Sequence, residues 1–513
     1  MSSDQKHSVQ KVSLEINTAS LKTAYYLRDN LDTFVKNEVF PLLEKYFDKI
    51  QPKNKTGTGI MQVNKLHIDL NLREKDLDGN FNHLKELLQN RLKKETEKLS
   101  VASENRQDYG KIREVSPERR RYNTFFHFVK TGQTPWWASA DEINTLSQPE
   151  NIRPVLVQKS FKRDFDAILK DKIAIKRLIR QFPGPVLLLL FKTYCRTHTL
   201  LRSVIAALSE ESNTPLPSEN GPNTVLTSTA EKISEAFLNY MEKAVEISSP
   251  HQKEQFWNLM AAIVQARDKT GLKQDLIRLG RFLSAAKETK ESAGVLKGIL
   301  NIFPAIRNAV HKIEPADKET EKKKDNAMAV VSGEKNDPDN ELTMFSSDTE
   351  KEIFVENAGL ILLHPFLKPF FLDCGVITPD NMFIDGELAT HLLHYAATGR
   401  ETDTENTMLL EKFLCTIAVH HPITREIPLS EAHKKKSEEL LSSLTTQWGA
   451  LKNTSAETVR NEFIQRPGKL ILEKDNPRII VERRTQDILL DKLPWNISII
   501  KILWIKKLIF VEW

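Results

Sequence analysis

The most informative pattern of apolar and polar positions lies between Ile353 and His421. The run Val355-Glu356-Asn357-Ala358-Gly359 leads into four apolar residues, Leu360 to Leu363. Pro365 and Pro369 interrupt that run before it can become one long helix, because a proline lacks the N–H and clashes one turn back. Two short, largely buried pieces are predicted. Asp385-Gly386 turns the chain, after which Leu388, Leu392, Leu393, Tyr395 and Ala396 recur at helical spacing up to Gly399, a residue suited to the left-handed stop of a helix. A further helix is predicted over residues 408–419. Val355 to Gly359 and Phe366 sit in the densest apolar stretch and are expected to form the packed centre of this module.

Residues 431–451 and 455–464 then read as amphipathic helices. Turns at Pro467-Gly468 and Asp475-Asn476-Pro477 set off 469–473 and 478–482 as a hairpin. The last twenty residues carry Trp495, Trp504 and Trp513 among β-branched neighbours, which is too apolar for a free tail.

Toward the N-terminus, residues 9–16 partly alternate and predict a strand. Leu21, Ala24, Tyr25, Leu31, Phe34, Val35, Val39, Leu42 and Leu43 follow at helical spacing. Leu66, Ile68, Leu70 and Leu72 alternate with polar residues, the pattern of a half-buried strand. A helix over 81–99, with Phe81, Leu84, Leu87, Leu88 and Leu92 on one face, completes a small α+β domain. Residues 161–182, 185–208, 225–247, 252–267 and 272–303 are successive helical patterns. The polar, proline- and serine-rich stretch 209–224 divides them as a surface loop. Residues 314–349 are rich in Lys, Glu, Asp and Asn and read as a solvated linker.

One pattern occurs twice. Phe125-Phe126-His127-Phe128-Val129-Lys130-Thr131-Gly132 and Leu392-Leu393-His394-Tyr395-Ala396-Ala397-Thr398-Gly399 share apolar-apolar-His-aromatic-x-x-Thr-Gly, a degenerate internal repeat. Each copy predicts a short helix with a packed aromatic face and a glycine stop.

Composition narrows the picture. At 513 residues the chain exceeds one ordinary core. Hydrophobic residues at 40% and charged residues at 28% describe a folded protein, and +5 from 74 basic and 69 acidic residues is too mild to imply nucleic acid. Cys195, Cys374 and Cys415 are few and unclustered, which fits a reducing compartment. No apolar run reaches the length of a membrane span. His364, His391, His394, His420 and His421 gather in the central stretch, but no Cys-x-x-Cys or His-Glu-x-x-His accompanies them, so no metal ligand is assigned. Walker, dinucleotide and nucleophile-elbow motifs are missing from the sequence, and no catalytic or cofactor-binding residue is assigned. Arg119-Arg120-Arg121 and Lys434-Lys435-Lys436 read as solvated helix faces.

Four stretches carry a family resemblance: the thirteen residues from Val355 to Leu367, His394 to Gly399, Leu409 to Cys415, and the terminal Phe510-Val511-Glu512-Trp513. They resemble the C-terminal half of contractile injection system tape measure proteins over most of residues 351–513, with weaker agreement over 9–72 and 118–138. Leu503 departs from the pattern, which has a proline before the second tryptophan.

The resemblance implies a non-enzymatic structural or assembly component that fixes inner tube and sheath length in a phage-tail-like particle. It would be made in the cytoplasm and incorporated into the particle, with the inner tube and the baseplate, spike or cap proteins as partners, and with no cofactor, nucleic acid or membrane span. Structural or partner-facing roles would fall on Glu356, Asn357, Ala358, Gly359, His364, Pro365, Phe366, Thr398, Gly399, Trp136, Trp137, Trp495, Trp504, Glu512 and Trp513. A scaffold or chaperone of assembly is the competing class, and a metal-dependent enzyme on the central histidines is a third.

The expected architecture is mainly α with small α+β modules at both ends. It comprises 1–110 as an N-terminal α+β domain, 111–313 as a helical region, 314–350 as a linker, 351–430 as a helical signature module and 431–513 as a C-terminal α/β module. One unbroken helix of this length would span on the order of 770 Å, which 23 prolines and 18 glycines exclude. Any extensible span is expected from residues 140–350.

Overall fold

A computed structural model describes residues 20–48, 60–63, 82–104, 112–197, 250–266, 268–285, 290–303, 306–311, 351–472 and 476–513, with positions 9, 12, 66–68 and 70. The predicted strand 9–16, the loop 209–224, the helix 225–247 and the linker 314–349 lie outside these apart from two single positions. The chain divides into two compact units, Met1–Thr124 with Pro135–Ser139, and Phe125–Thr134 with Ala140–Trp513. The fold is mainly α, with a small sheet toward each end.

In the first unit the predicted helix spans Leu21–Phe34 and Phe40–Phe47, joined through a π turn at Val35–Val39. Pro41 has no N–H to offer the carbonyl one turn back, and the helix widens just before it. Phe34, Val35, Val39 and Leu42 bury against Leu84, Leu88 and Leu92 of helix Asn82–Glu104. Leu21 and Tyr25, expected on the same face, are exposed, so the first turns extend beyond this core. The strand expected at 66–72 is displaced: β1 is Ile60–Val63, paired antiparallel with β2, Ile112–Val115, while 66–68 and 70 are described without strand. Their alternation still does its work, because Leu66, Ile68 and Leu70 pack on the core and His67 faces solvent.

In the second unit the pattern over 161–182 breaks into Phe161–Lys170 and Lys172–Gln181. Asp171 makes the break: its carboxylate accepts from the Ile173 and Ala174 amides, the geometry of an N-cap. Helices Gly184–Thr197, Pro250–Gln265, Lys269–Ala285 and Lys290–Ile302 follow.

Residues 351–513 are built around a five-stranded sheet of order β3-β4-β5-β7-β6. β3 is Lys351–Val355, β4 Gly468–Leu472, β5 Arg478–Val481, β6 Ile499–Ile500 and β7 Ile509–Glu512. The expected hairpin is β4–β5, antiparallel, and the C-terminal β7 lies parallel to β5 with Ile479 opposite Val511. The two short buried pieces appear as a 3₁₀ segment, Ala358–Phe366, and helix Leu367–Asp373. Helix Gly386–Thr398 stops at Gly399 as expected. The helix expected over 408–419 is only Leu409–Leu414, closed by Thr416 at a φ of 58°. Helix Glu431–Gln447 and the pair Ala456–Val459 and Arg460–Ile464 complete the layer over the sheet. The apolar core joins Ile353, Leu363, Leu393, Phe413, Leu441, Trp448, Phe463, Ile479 and Val511 in one cluster.

Candidate functional site

The signature residues are fixed by short-range demands of this core. Asn357 is buried, donating to the Glu411 carboxylate at 2.7 Å and to the Thr407 carbonyl at 3.3 Å. The Ala358 amide donates to the Arg466 carbonyl at 2.8 Å. Gly359 lies directly on the Phe463 carbonyl, where no Cβ fits. Glu356 is exposed at the end of β3, where partial desolvation of its carboxyl and then the Asp403 carboxylate push it up to about 7. His364 Nδ1 lies 3.0 Å from the Ile361 carbonyl, Pro365 is exposed, and Phe366 is half-buried against Trp495 with ring centroids 5.3 Å apart. Phe366 is therefore at the rim of the core and not at its centre, because Pro365 and the turn into the next helix carry it outward.

The tryptophans are also placed. Trp504 packs edge-on to Phe383 and donates to the Leu414 carbonyl at 2.7 Å. Trp513 donates to Asp487 at 3.1 Å, and the other Asp487 oxygen takes the fully buried Arg466 at 2.7 Å. Glu512 is exposed and pairs with Arg478 at 3.5 Å. In the first unit Trp136 and Trp137 form a half-buried edge-on pair, and Trp137 donates to the Thr124 hydroxyl at 3.2 Å.

The two copies of the internal repeat end in the same way. Thr131 and Thr398 each bond back to the carbonyl of the repeat histidine, His127 at 2.9 Å and His394 at 2.8 Å. Gly132 and Gly399 both adopt a left-handed φ, 73° and 72°. The carbonyls two and three residues before each glycine are then taken by side chains. Arg177 donates to Val129 and Lys130 in the first copy. Arg460 and Gln465 donate to Ala396 and Ala397 in the second. Each arginine also pairs with a glutamate, Glu405 for Arg177 and Glu438 for Arg460.

Around the first copy this arrangement grows into a buried charged layer. Helix Lys172–Gln181 meets the stretch between Glu405 and Arg425 there. Arg177 and Glu405 are wholly buried and directly paired, and Lys412, equally buried, stands 3.6 Å from the other Glu405 oxygen. That oxygen also accepts the Ile423 amide at 3.1 Å. Gln181 accepts the Glu405 amide at 3.0 Å and donates to the Ile423 carbonyl at 2.9 Å. Arg180 reaches Glu254, Glu387 and the Pro422 carbonyl. Burial pushes the Lys412 ammonium down, against the pull of Glu405. It would raise Glu387, but Arg180 and the Thr424 hydrogen bonds outweigh it and hold that carboxyl below the usual range.

A second buried group adjoins it. His394 lies between Glu411 at 3.1 Å and Asp403 at 3.3 Å. Burial alone would lower its imidazole, but those two carboxylates outweigh it and hold it above the ordinary histidine value. His391 faces the Thr424 carbonyl at 3.0 Å, and burial pushes it down to about 4. His364 and His391 thus sit against carbonyls and His394 between two carboxylates, and among the described residues no group of three or more His, Cys, Asp or Glu could hold a metal ion. What this arrangement can do chemically is join two layers through matched charges. Arg177, Glu405 and Lys412 escaped the sequence reading, although Glu411-Lys412 inside the apolar Leu409–Leu414 was a visible signal, since charged residues rarely bury unless paired.

The family model of the contractile injection system tape measure protein matches residues 6–513. The chain belongs to that family. The match extends well beyond the C-terminal signatures to take in both units and the charged layer between helix Lys172–Gln181 and the signature stretch. Tape measure proteins are structural components of an injection particle, so membership makes this chain a structural, assembly component that associates with other parts of the particle. Among the described residues no helix is long and apolar enough to cross a membrane. No curated protein and no solved structure matches the chain.

Proposed function

We propose that this protein sets the length of the inner tube and sheath of a contractile injection particle, without catalysis. The observation that carries the reading is the extent of the family match, from residue 6 to residue 513. In this reading the protein is made in the cytoplasm and taken into the particle, where its two ends engage the inner tube and the baseplate, spike or cap. The signature residues act mainly by building the C-terminal module that makes one of those attachments. Exposed Glu356, Pro365, Gly399 and Glu512 and the half-buried tryptophans are among the positions of that set open to a partner.

One observation favours a second reading, an assembly factor that stays compact. Residues 140–197, expected to supply span, are tied to the signature stretch through Arg177, Arg180 and Gln181. A chain that measures by extending must part that layer, whereas an assembly factor keeps it closed. Inserting helical turns within 209–224 and measuring particles by electron microscopy separates the two. Length rising in step with the insert supports the ruler. Particles of normal length leave the assembly factor.

A further inference from the structure

His394 is buried on helix Gly386–Thr398 with a carboxylate against each ring nitrogen. Glu411 Oε1 lies 3.1 Å from Nδ1, and Asp403 Oδ2 lies 3.3 Å from Nε2. A neutral imidazole has one N–H, so in that form one nitrogen would turn a lone pair on a carboxylate oxygen; only the doubly protonated ring donates to both. Glu411 Oε1 also takes the Asn357 side-chain amide at 2.7 Å, while its other oxygen is buried and without a hydrogen-bond partner among the described residues. Asp403 takes the Thr404 amide at 2.8 Å and the half-exposed Arg400 at 3.0 Å. We propose that His394 is an imidazolium tie that alkali undoes: removing one ring proton leaves two buried carboxylates across a neutral ring, and residues 400–405 part from the core. Asp403 is the partner that moves, because Arg400 can follow it into solvent whereas Glu411 is fixed within helix Leu409–Leu414, which is buried throughout. Glu405 ends that stretch and holds Arg177, so the tie reaches the charged layer.

The groups around the ring decide the sign. From its own helix come Glu387, engaged by Arg180 and Thr424, and His391, pushed down to about 4 mainly by burial and so uncharged at neutral pH. Helix Leu409–Leu414 brings Glu411 and Lys412, whose ammonium is turned to the carbonyls of Val419 and His421. Glu356, at the end of β3, acts on the same two carboxylates and adds negative charge. Helix Glu431–Gln447 buries only Ser437, Leu440, Leu441 and Leu444. Arg460 of the turn Arg460–Ile464 is spent on the Ala396 carbonyl and Glu438. Burial opposes a charge on the ring, but Asp403 and Glu411 outweigh it and hold the imidazole above its ordinary value. A group raised in the closed state gives its stabilisation in full below its ordinary value near 6.5 and loses it as pH climbs through the folded value. Alkali therefore loosens residues 400–405.

Two measurements on the full chain test the tie. With histidines labelled with 15N and His394 assigned by the loss of its signals in His394→Gln, the ring should carry both protons at about pH 7, where an ordinary histidine is about three-quarters neutral. Asp403→Asn, which keeps an acceptor, makes the assignment if His394→Gln fails to fold. Hydrogen–deuterium exchange from about pH 6 to 9, corrected for intrinsic rate, should show opening at the amides of Asp403 and Glu405, which are bonded to the Arg425 carbonyl and the Gln181 side chain. The open fraction should rise by up to about tenfold per pH unit between about 6.5 and the ring's own midpoint and level off above it, with helix Glu431–Gln447 unchanged. Asp403→Asn should move the ring's midpoint down and Arg400→Gln should move it up, opposite shifts that a purely structural contact would not give. A ring neutral at about pH 7, a titrating ring with unaltered exchange at 403 and 405, or simultaneous loss of protection in helix Glu431–Gln447 would overturn the proposal.

Discussion

Gly359 and Phe366 stand seven residues apart in one signature run, yet substitution should affect them very differently. A Cβ on Gly359 meets the carbonyl oxygen and carbon of Phe463, which belong to backbone and cannot rotate away. The 3₁₀ segment and the turn Arg460–Ile464 would have to separate, opening a core that includes Leu360 and Ile464. Gly359→Ala should cost more than about 3 kcal/mol, the range of severe overpacking. Phe366 is half-buried against Trp495, so Phe366→Ala should cost only about 1 to 2 kcal/mol, below the roughly 3 to 5 of a fully buried phenylalanine. Urea denaturation of the full chain gives both numbers. A Phe366→Ala cost equal to that of Gly359→Ala would refute this ranking.

At the scale of elements, the repeat allows a controlled comparison. Gly132 and Gly399 have the same left-handed φ, so replacing either with alanine imposes the same backbone strain, about 1 kcal/mol. They differ in what lies above them. A Cβ at Gly132 would come within 2.5 Å of a Glu405 oxygen and 2.9 Å of the Arg177 Nε, whereas at Gly399 the nearest atom is an Arg460 nitrogen at 3.8 Å. Gly132→Ala should therefore be the more destabilising by at least about 2 kcal/mol, since it pushes apart a buried pair. Equal melting shifts for the two variants would show that only the cap matters.

The legibility of elements follows the same division. Gly399, Pro365 and Asp385 act within a few residues, and the pieces they bound were readable from spacing. The break at Asp171 was not, because Lys170 to Ile173 carry no proline or glycine and the cap appears only once the carboxylate turns onto the next amides. β2 was missed because Ile112-Arg113-Glu114-Val115 does not alternate, and its pairing with β1, Ile60 with Val115 through Val63 with Ile112, is settled by contacts far away in sequence.

On the scale of the whole molecule, the signature module was legible because its core is contiguous in the chain, and the charged layer was not, because Arg177 and Glu405 lie 228 residues apart. That layer joins the helices of 125–197 to the module through Gln181 and through charged groups that are also bonded to backbone. Arg177 shows how the two roles can be separated. It pairs with Glu405 and donates to the carbonyls of Val129, Lys130 and His420. Arg177→Met removes both the charge and the donors, leaving a buried carboxylate beside Lys412 and three carbonyls to be satisfied, and should cost about 3 to 5 kcal/mol. Arg177→Lys keeps the charge but loses the planar fork, so a single ammonium must choose among four acceptors placed for a guanidinium. If charge balance holds the layer, Arg177→Lys should recover most of the loss. If the fork holds it, as the four acceptors on three separate stretches of chain argue, the lysine variant should stay within about 1 to 2 kcal/mol of the methionine variant. Denaturation midpoints of the two full-length variants at neutral pH decide it, and near-native stability of Arg177→Lys would count against the fork.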